Sequence, residues 1–137
     1  MLKLNEYDIS QIIGILEYND RKLKKPLVRF SKDGTRYHTK PISPEKHEEW
    51  LNIFTRIEKN QLVIDKLSDN QDISSDDIEL IIDLLEVSIH NNEIYLLQFN
   101  LYGTKCNGKM SSDAQIRQRE RRMNSIIANK GILEKLT

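Results

Sequence analysis

The segment from Ile78 to Ile89 limits the fold more than any other part of this 137-residue chain. Ile78, Ile82, Leu85 and Ile89 recur at helical spacing, and Leu80, Ile81, Leu84 and Val87 widen the stripe to more than half of a helix circumference. A helix so apolar must be covered on several sides, which makes it the central element of a core. Ser74 or Ser75 can cap it, and Asp76, Asp77 and Glu79 place negative charge in its first turn, where the helix dipole favours it. Its far end reads two ways. Tyr95, Leu97, Phe99 and Leu101 alternate as a strand would, whereas Leu96 and Phe99 continue the helical stripe. We adopt the helix and extend it over 75–101.

Three other helices are expected around it. Ile9, Ile12, Ile13 and Leu16 fall at i, i+3, i+4 and i+7, which predicts a short helix over 8–19 with Asp8 as its cap. Gly14 weakens that helix by about 1 kcal/mol relative to Ala. Ser43-Pro44-Glu45 is a helix start, with a capping Ser, Pro at the first helical position and an acid in the first turn. Trp50, Phe54, Ile57, Ile64 and Leu67 then share a broad face over 44–67, with Ile53 beside them. That stripe lapses at Asn60 and Gln61, where a bend would fall. Ser112-Asp113-Ala114-Gln115 has the pattern of a capping box and opens a last helix over 112–130, with Gly131 placed to terminate it. Residues 69–75 and 103–110 read as connectors.

Residues 27–40 read as a β-hairpin turning at Asp33-Gly34, a dipeptide suited to the positive φ angles of a type I′ turn. That register pairs Lys32 with Thr35, Ser31 with Arg36, Phe30 with Tyr37, Arg29 with His38 and Val28 with Thr39. One face then holds Val28, Phe30, Tyr37 and Thr39 and packs on helices. The other holds Arg29, Ser31, Arg36, His38 and Lys40. A slip of one residue would mix the two sets. Together these elements make one domain over 1–137, mostly α with a small β-hairpin, arranged as a compact three- to four-helix bundle.

Charge is sorted along the chain into blocks. Lys and Arg total 21 and so do Asp and Glu, yet residues 21–40 carry eight Lys or Arg against the single Asp33. Residues 67–104 hold eight acids and no Lys or Arg, and residues 105–137 hold eight bases against three acids. Neutrality thus conceals two basic blocks and one acidic block, which points to a polyanion or a charged protein as partner. The sequence has a single cysteine, Cys106, so no internal disulfide can form, which fits a reducing compartment. Acids occupy the N-terminal stretch where a signal peptide is apolar, and no run of 18 apolar residues occurs. A cytoplasmic protein without membrane contact is expected. The abundance of Asn, Lys and Ile with little Gly, Pro or Ala is the codon bias of an AT-rich genome, such as that of a low-GC bacterium or a phage.

No residue pattern specifies catalysis. His38, His47 and His90 fall in three different elements, and His47-Glu48-Glu49 lacks the second His of a zinc-protease helix. Cys106 has no Cys partner for a zinc site, and a Cys106–His90 nucleophile pair is outweighed by the bland reading of a lone loop thiol. There is no glycine-rich phosphate loop. A non-enzyme with no cofactor and no metal is expected.

Three groups of residues are candidates for binding. Lys24, Lys25, Arg29, Arg36, His38 and Lys40 form the first, because a basic ribbon can enter a groove and neutralise phosphates. Their bland reading is a solvated surface, or one paired with the acidic helix. Arg117, Arg121 and Arg122 on the last helix form the second, since the guanidinium fork suits phosphate contact. Arg119 falls beside Met123 and Ile126 on the inner side, which suggests an ion pair with Glu79, Asp83 or Glu86. The acids Asp76, Asp77, Glu79, Asp83 and Glu86 form the third group, which could imitate phosphate spacing. The leading expectation is a non-catalytic accessory or regulatory protein on a DNA or RNA backbone. The alternative is an inhibitor or adaptor that binds a basic host protein such as a nuclease, in the manner of a phage anti-CRISPR-type factor. A homodimer through the apolar residues of 78–101 is a third expectation.

Overall fold

In a computed structural model, residues 4–99 and 111–137 are described. The protein is mostly α-helical with a small hairpin. Among the described residues the order is α1 (Glu6–Leu27), β1 (Arg36–Tyr37), β2 (Lys40–Pro41), α2 (Pro44–Ser68), α3 (Ser75–Leu96) and α4 (Asp113–Leu136). These elements fall into two compact units, one of Ile12–Asp77 and the other of Met1–Gln11 with Ile78–Thr137.

α1 is longer than the apolar stripe suggests, and Asp8 is not its cap. Asn5 is the cap: its Oδ1 accepts from the Asp8 amide at 2.8 Å, and Asp8 Oδ2 accepts from the Asn5 amide at 3.0 Å. Asp8 is buried and is also bonded to Lys135. Burial pushes its carboxyl pKa up, but the bond from Lys135, the Asn5 amide and the Lys135 charge outweigh it and hold it below the usual carboxylate range. At the other end the helix continues through Lys24 and Lys25, which suit the negative end of the dipole. Pro26 sits in the last turn, where little of the ladder remains to be lost. The chain leaves by i→i−3 bonds from Val28, Arg29 and Phe30 to Lys25, Pro26 and Leu27.

α2 begins and ends almost where its sequence indicates. Ser43 caps it, accepting from the Lys46 amide at 3.3 Å, and Pro44 is its first residue. Its buried residues, however, are Asn60, Val63, Ile64 and Leu67. The expected broad face is therefore closed only in the C-terminal half, while Trp50, Ile53 and Ile57 are half-buried and Phe54 is 42% exposed. The lapse at Asn60 marks a polar contact inside the unit. Asn60, 1% exposed, donates from Nδ2 to Asn19 Oδ1 and to Asp20 Oδ1 of α1, both at 2.8 Å. Ile12, Leu16 and Asp20 of α1 are buried in the same unit.

In the second unit α3 and α4 run antiparallel. Asn129 bonds Ser88, Asn92 bonds Ser125, and Arg122 bonds Asn92, so residue numbers on facing positions rise along one helix as they fall along the other. Ile81, Leu85, Ile89 and Ile132 are buried here. α3 is capped by Ser74, not Ser75. Ser74 Oγ accepts from the Asp77 amide at 3.1 Å and Asp77 Oδ2 accepts from the Ser74 amide at 3.0 Å. The helix stops at Leu96 instead of 101, followed by turn bonds from Leu97, Gln98 and Phe99 to Ile94, Tyr95 and Leu96. The rest of the strand-or-helix question, at 100–102, lies outside the described residues. The capping box of Ser112 and Gln115 is present as expected. Gly131 does not end α4, because Ile132 is buried and carries the helix on to Leu136.

Asn60 is the test of this packing. Replacing it by Ala would leave the buried Asp20 carboxyl without its donor, so Asn60→Ala should cost about 2–3 kcal/mol in urea unfolding followed by circular dichroism. A loss under about 0.5 kcal/mol would show that the buried amide holds nothing.

Candidate nucleic-acid interface

Of the expected pairing only the centre forms, an isolated bridge and its two flanking bonds, while the ladder itself joins 36–37 to 40–41, and the expected turn is replaced. Phe30 bridges Tyr37, the Ser31 amide donates to Arg36 O at 3.0 Å, and the His38 amide donates to Arg29 O at 2.9 Å. Asp33-Gly34 does not form a two-residue type I′ turn. Instead residues 32–35 make a wider loop built on side chains. Asp33 Oδ1 accepts from Ser31 Oγ at 2.7 Å, Thr35 Oγ1 at 2.7 Å and the Thr35 amide at 3.1 Å. Ser31 Oγ in turn accepts from the Thr35 and Arg36 amides. Those hydroxyl and amide donors hold the Asp33 carboxyl down to about 2. The local bonding of a short polar side chain thus beats the two-residue turn.

Two consecutive positive φ angles do occur, five residues later. His38 has φ 52° and Thr39 φ 71°, and this turn pairs β1 with β2 as Arg36↔Pro41 and Tyr37↔Lys40. Neither residue is glycine. Left-handed backbone at a β-branched residue is uncommon and costs of order 1–3 kcal/mol. The second turn also changes the faces. Phe30 and Tyr37 stay half-buried with ring centroids 4.9 Å apart, but Val28 is 85% exposed and Thr39 is exposed, so neither packs on helices as expected.

The loop is seated on α2. Gly34, at φ +72°, is buried, and a Cβ there would lie 2.5 Å from Trp50 Cδ2. His47 Nδ1 donates to the Gly34 carbonyl at 3.0 Å, which fixes the proton on that nitrogen because a carbonyl only accepts. Lys46 lies 4.6 Å over the Tyr37 ring and bonds Glu49, and the Glu49 bond raises its pKa. These contacts turn the cations outward. Lys24, Lys25, Arg29, Arg36, His38 and Lys40 are all exposed. Within their unit, none of the eight Lys and Arg of residues 21–40 is ion-paired; Arg21 and Lys22 lie over the Tyr18 ring at 5.9 and 4.7 Å.

The arginines of α4 divide differently. Arg117 and Arg121 are exposed. Arg122 is half-buried, with its guanidinium 4.5 Å over the Tyr95 ring and Nη1 donating to Asn92 Oδ1 at 2.8 Å, so it is engaged inside its unit. The expected ion pair of Arg119 is absent: among the described residues it has none with Glu79, Asp83 or Glu86. The antiparallel register explains this. The 92–125 and 88–129 pairs set position 119 opposite position 98, about 18 Å or more along the axis from Glu86.

Of the acids, Asp76, Glu79, Asp83 and Glu86 are exposed. Asp77 is buried and serves the fold, capping α3 and bonding Lys66 Nζ at 2.9 Å. Burial raises its pKa, but the Ser74 amide and Lys66 bring it below the usual range. Val87 and Ile94, which a homodimer through this helix would use, are 56% and 52% exposed. Among the described residues no three of His, Cys, Asp and Glu gather where they could hold a metal ion, and no helix is long and apolar enough to cross a membrane. Cys106, and with it the Cys106–His90 pair, lies outside the described residues. No protein-family model, curated protein or solved structure matches this chain.

On α2, the face of Trp50 and Phe54 expected as core is in part an aromatic series that includes His47. His47 and Trp50 lie nearly parallel, with 13° between ring planes and centroids 6.0 Å apart, and Trp50 and Phe54 likewise at 14° and 5.2 Å. The spacing of 47, 50 and 54 was the signal, hidden because the same spacing marks a core face. The seating makes Gly34→Ala a sharp test, since the new Cβ meets both positive φ and the Trp50 ring. It should cost about 2 kcal/mol or more and shift the emission of Trp50 in unfolding experiments. Unchanged stability and emission would mean that the loop is not seated there.

Proposed function

We propose that this is a non-catalytic accessory or regulatory protein that grips the phosphate backbone of DNA or RNA through the basic hairpin. One observation carries the reading: eight cations of residues 21–40 stand exposed, without an ion pair inside their unit. Like charges gathered in this way repel, and a polyanion relieves the repulsion while releasing its own counterions. Lys24 and Lys25 end α1, and Arg29, Arg36, His38 and Lys40 follow along the hairpin. The left-handed turn at His38-Thr39 supports the same surface, because backbone strain gathers where contact geometry matters. Arg117 and Arg121 of α4 are further candidates for phosphate contact. Labelled oligonucleotides followed by fluorescence anisotropy test this directly. Neutralising about six phosphates predicts roughly a thousandfold loss of affinity between about 50 and 200 mM salt. The Arg29/Arg36→Glu variant should not bind. Absence of binding at the lower salt would remove the hypothesis.

A second reading is favoured by the exposed acids Asp76, Glu79, Asp83 and Glu86, which recur at i, i+3, i+7 and i+10 along α3. It is a protein-binding inhibitor or adaptor that presents this stripe to a basic host protein such as a nuclease. Asp83→Lys should then abolish inhibition of that nuclease while the oligonucleotide titration is unaffected. Inhibition that survives the charge reversal would exclude the acidic stripe.

A further inference from the structure

We infer that the nucleic acid taken by the hairpin unit is single-stranded, with a base stacking on Phe54 while the hairpin cations track the backbone; this rests on the nucleic-acid reading above. His47, Trp50 and Phe54 form a nearly parallel series of rings on α2. At its inner end Gly34 is pressed against Trp50 and His47 is bonded to the Gly34 carbonyl. Phe54, at the other end, is 42% exposed, and Leu51 one turn before it is 44% exposed. A partly exposed aromatic ring at the end of a stack is what an unpaired base needs, because every base has a π-face and stacking is indifferent to sequence. A duplex offers no such face, as its bases are already stacked on one another.

The cations stand within reach of this platform. Arg36 is two residues from Gly34, so its Cα lies within about 7 Å of the residue that touches Trp50. Arg36, His38 and Lys40 are exposed along the following turn. Three acids of α2 lie away from the platform, while the exposed Glu58, one turn beyond Phe54, shares its side. Glu45, Glu48 and Glu49 line, with Asn52, Ile53 and Arg56, a groove of about 430 Å³. On the helix circumference the centre of that groove lies about 150° from the Trp50–Phe54 direction. The three acids of the groove are thus carried across the helix from the stacking face. An aromatic platform beside exposed cations is the combination by which proteins hold single strands without reading their sequence.

Trp50 is the sole tryptophan and reports on the stack. We would titrate the full chain with an oligothymidylate of about 12 nucleotides and with a duplex of the same length, recording anisotropy and Trp50 emission. The inference expects tighter binding of the single strand together with quenching of Trp50. Phe54→Leu, which keeps an apolar side chain but removes the ring, should weaken single-strand binding roughly tenfold or more and leave duplex binding unchanged. Phe54→Trp should restore it. Equal affinity of Phe54→Leu and the parent for the single strand would overturn the inference. If Arg29/Arg36→Glu still abolished binding in that case, the basic-hairpin reading would stand alone. Failure of both oligonucleotides to bind would overturn the inference together with the reading beneath it.

Discussion

The contact of Gly34 with the Trp50 ring governs the placement of everything outward of it. The loop at 32–35 owes its shape to Asp33 and its position to the absence of a side chain at Gly34. His47 secures the same point by its bond to the Gly34 carbonyl. A hairpin with two residues in each strand has too little ladder to stand alone, so its orientation is borrowed from α2. The exposed face of Arg29, Arg36, His38 and Lys40 is held to α2 by the Gly34–Trp50 contact, the His47 hydrogen bond and Lys46 over the Tyr37 ring.

A fully buried asparagine marks the helix contacts of each unit. Asn60 joins α2 to Asn19 and Asp20 of α1, and Asn129 joins α4 to Ser88 of α3. Apolar helix faces tolerate sliding by a turn, whereas a polar group inside them is satisfied in one register only. Asn60 meets that condition with both of its N–H groups. Asn129 meets it in part, since its Oδ1 is buried without a partner among the described residues. With 38% apolar residues, the chain relies on such contacts to select a register that bulk hydrophobicity leaves open.

Much of the helical framework was legible because it is written in local chemistry. Ser43-Pro44 and Ser112 with Gln115 fixed the starts of α2 and α4, for a cap satisfies backbone donors wherever the helix later packs. Where the reading failed, tertiary contact or competing local bonding decided. α1 continues through a charged tail that has no apolar stripe, and Gly131 stays helical because Ile132 is buried after it. The Asp33-Gly34 turn lost to hydrogen bonds from Ser31 and Thr35, and the left-handed pair fell on His38-Thr39, which composition does not flag. The candidate site was half visible. Its cations were plain as a charge block, whereas the Trp50–Phe54 stack reads in sequence as more core.

The central proposal is that a loop seated on Trp50 offers cations without an ion pair inside their unit to a nucleic-acid backbone. Amide chemical shifts of the 15N-labelled protein, titrated with an oligonucleotide, report that claim residue by residue. The account predicts perturbations that cluster from Arg29 to Lys40, with Asp76 to Glu86 unchanged. Shifts confined to the acidic helix, or none at saturating oligonucleotide, would contradict it.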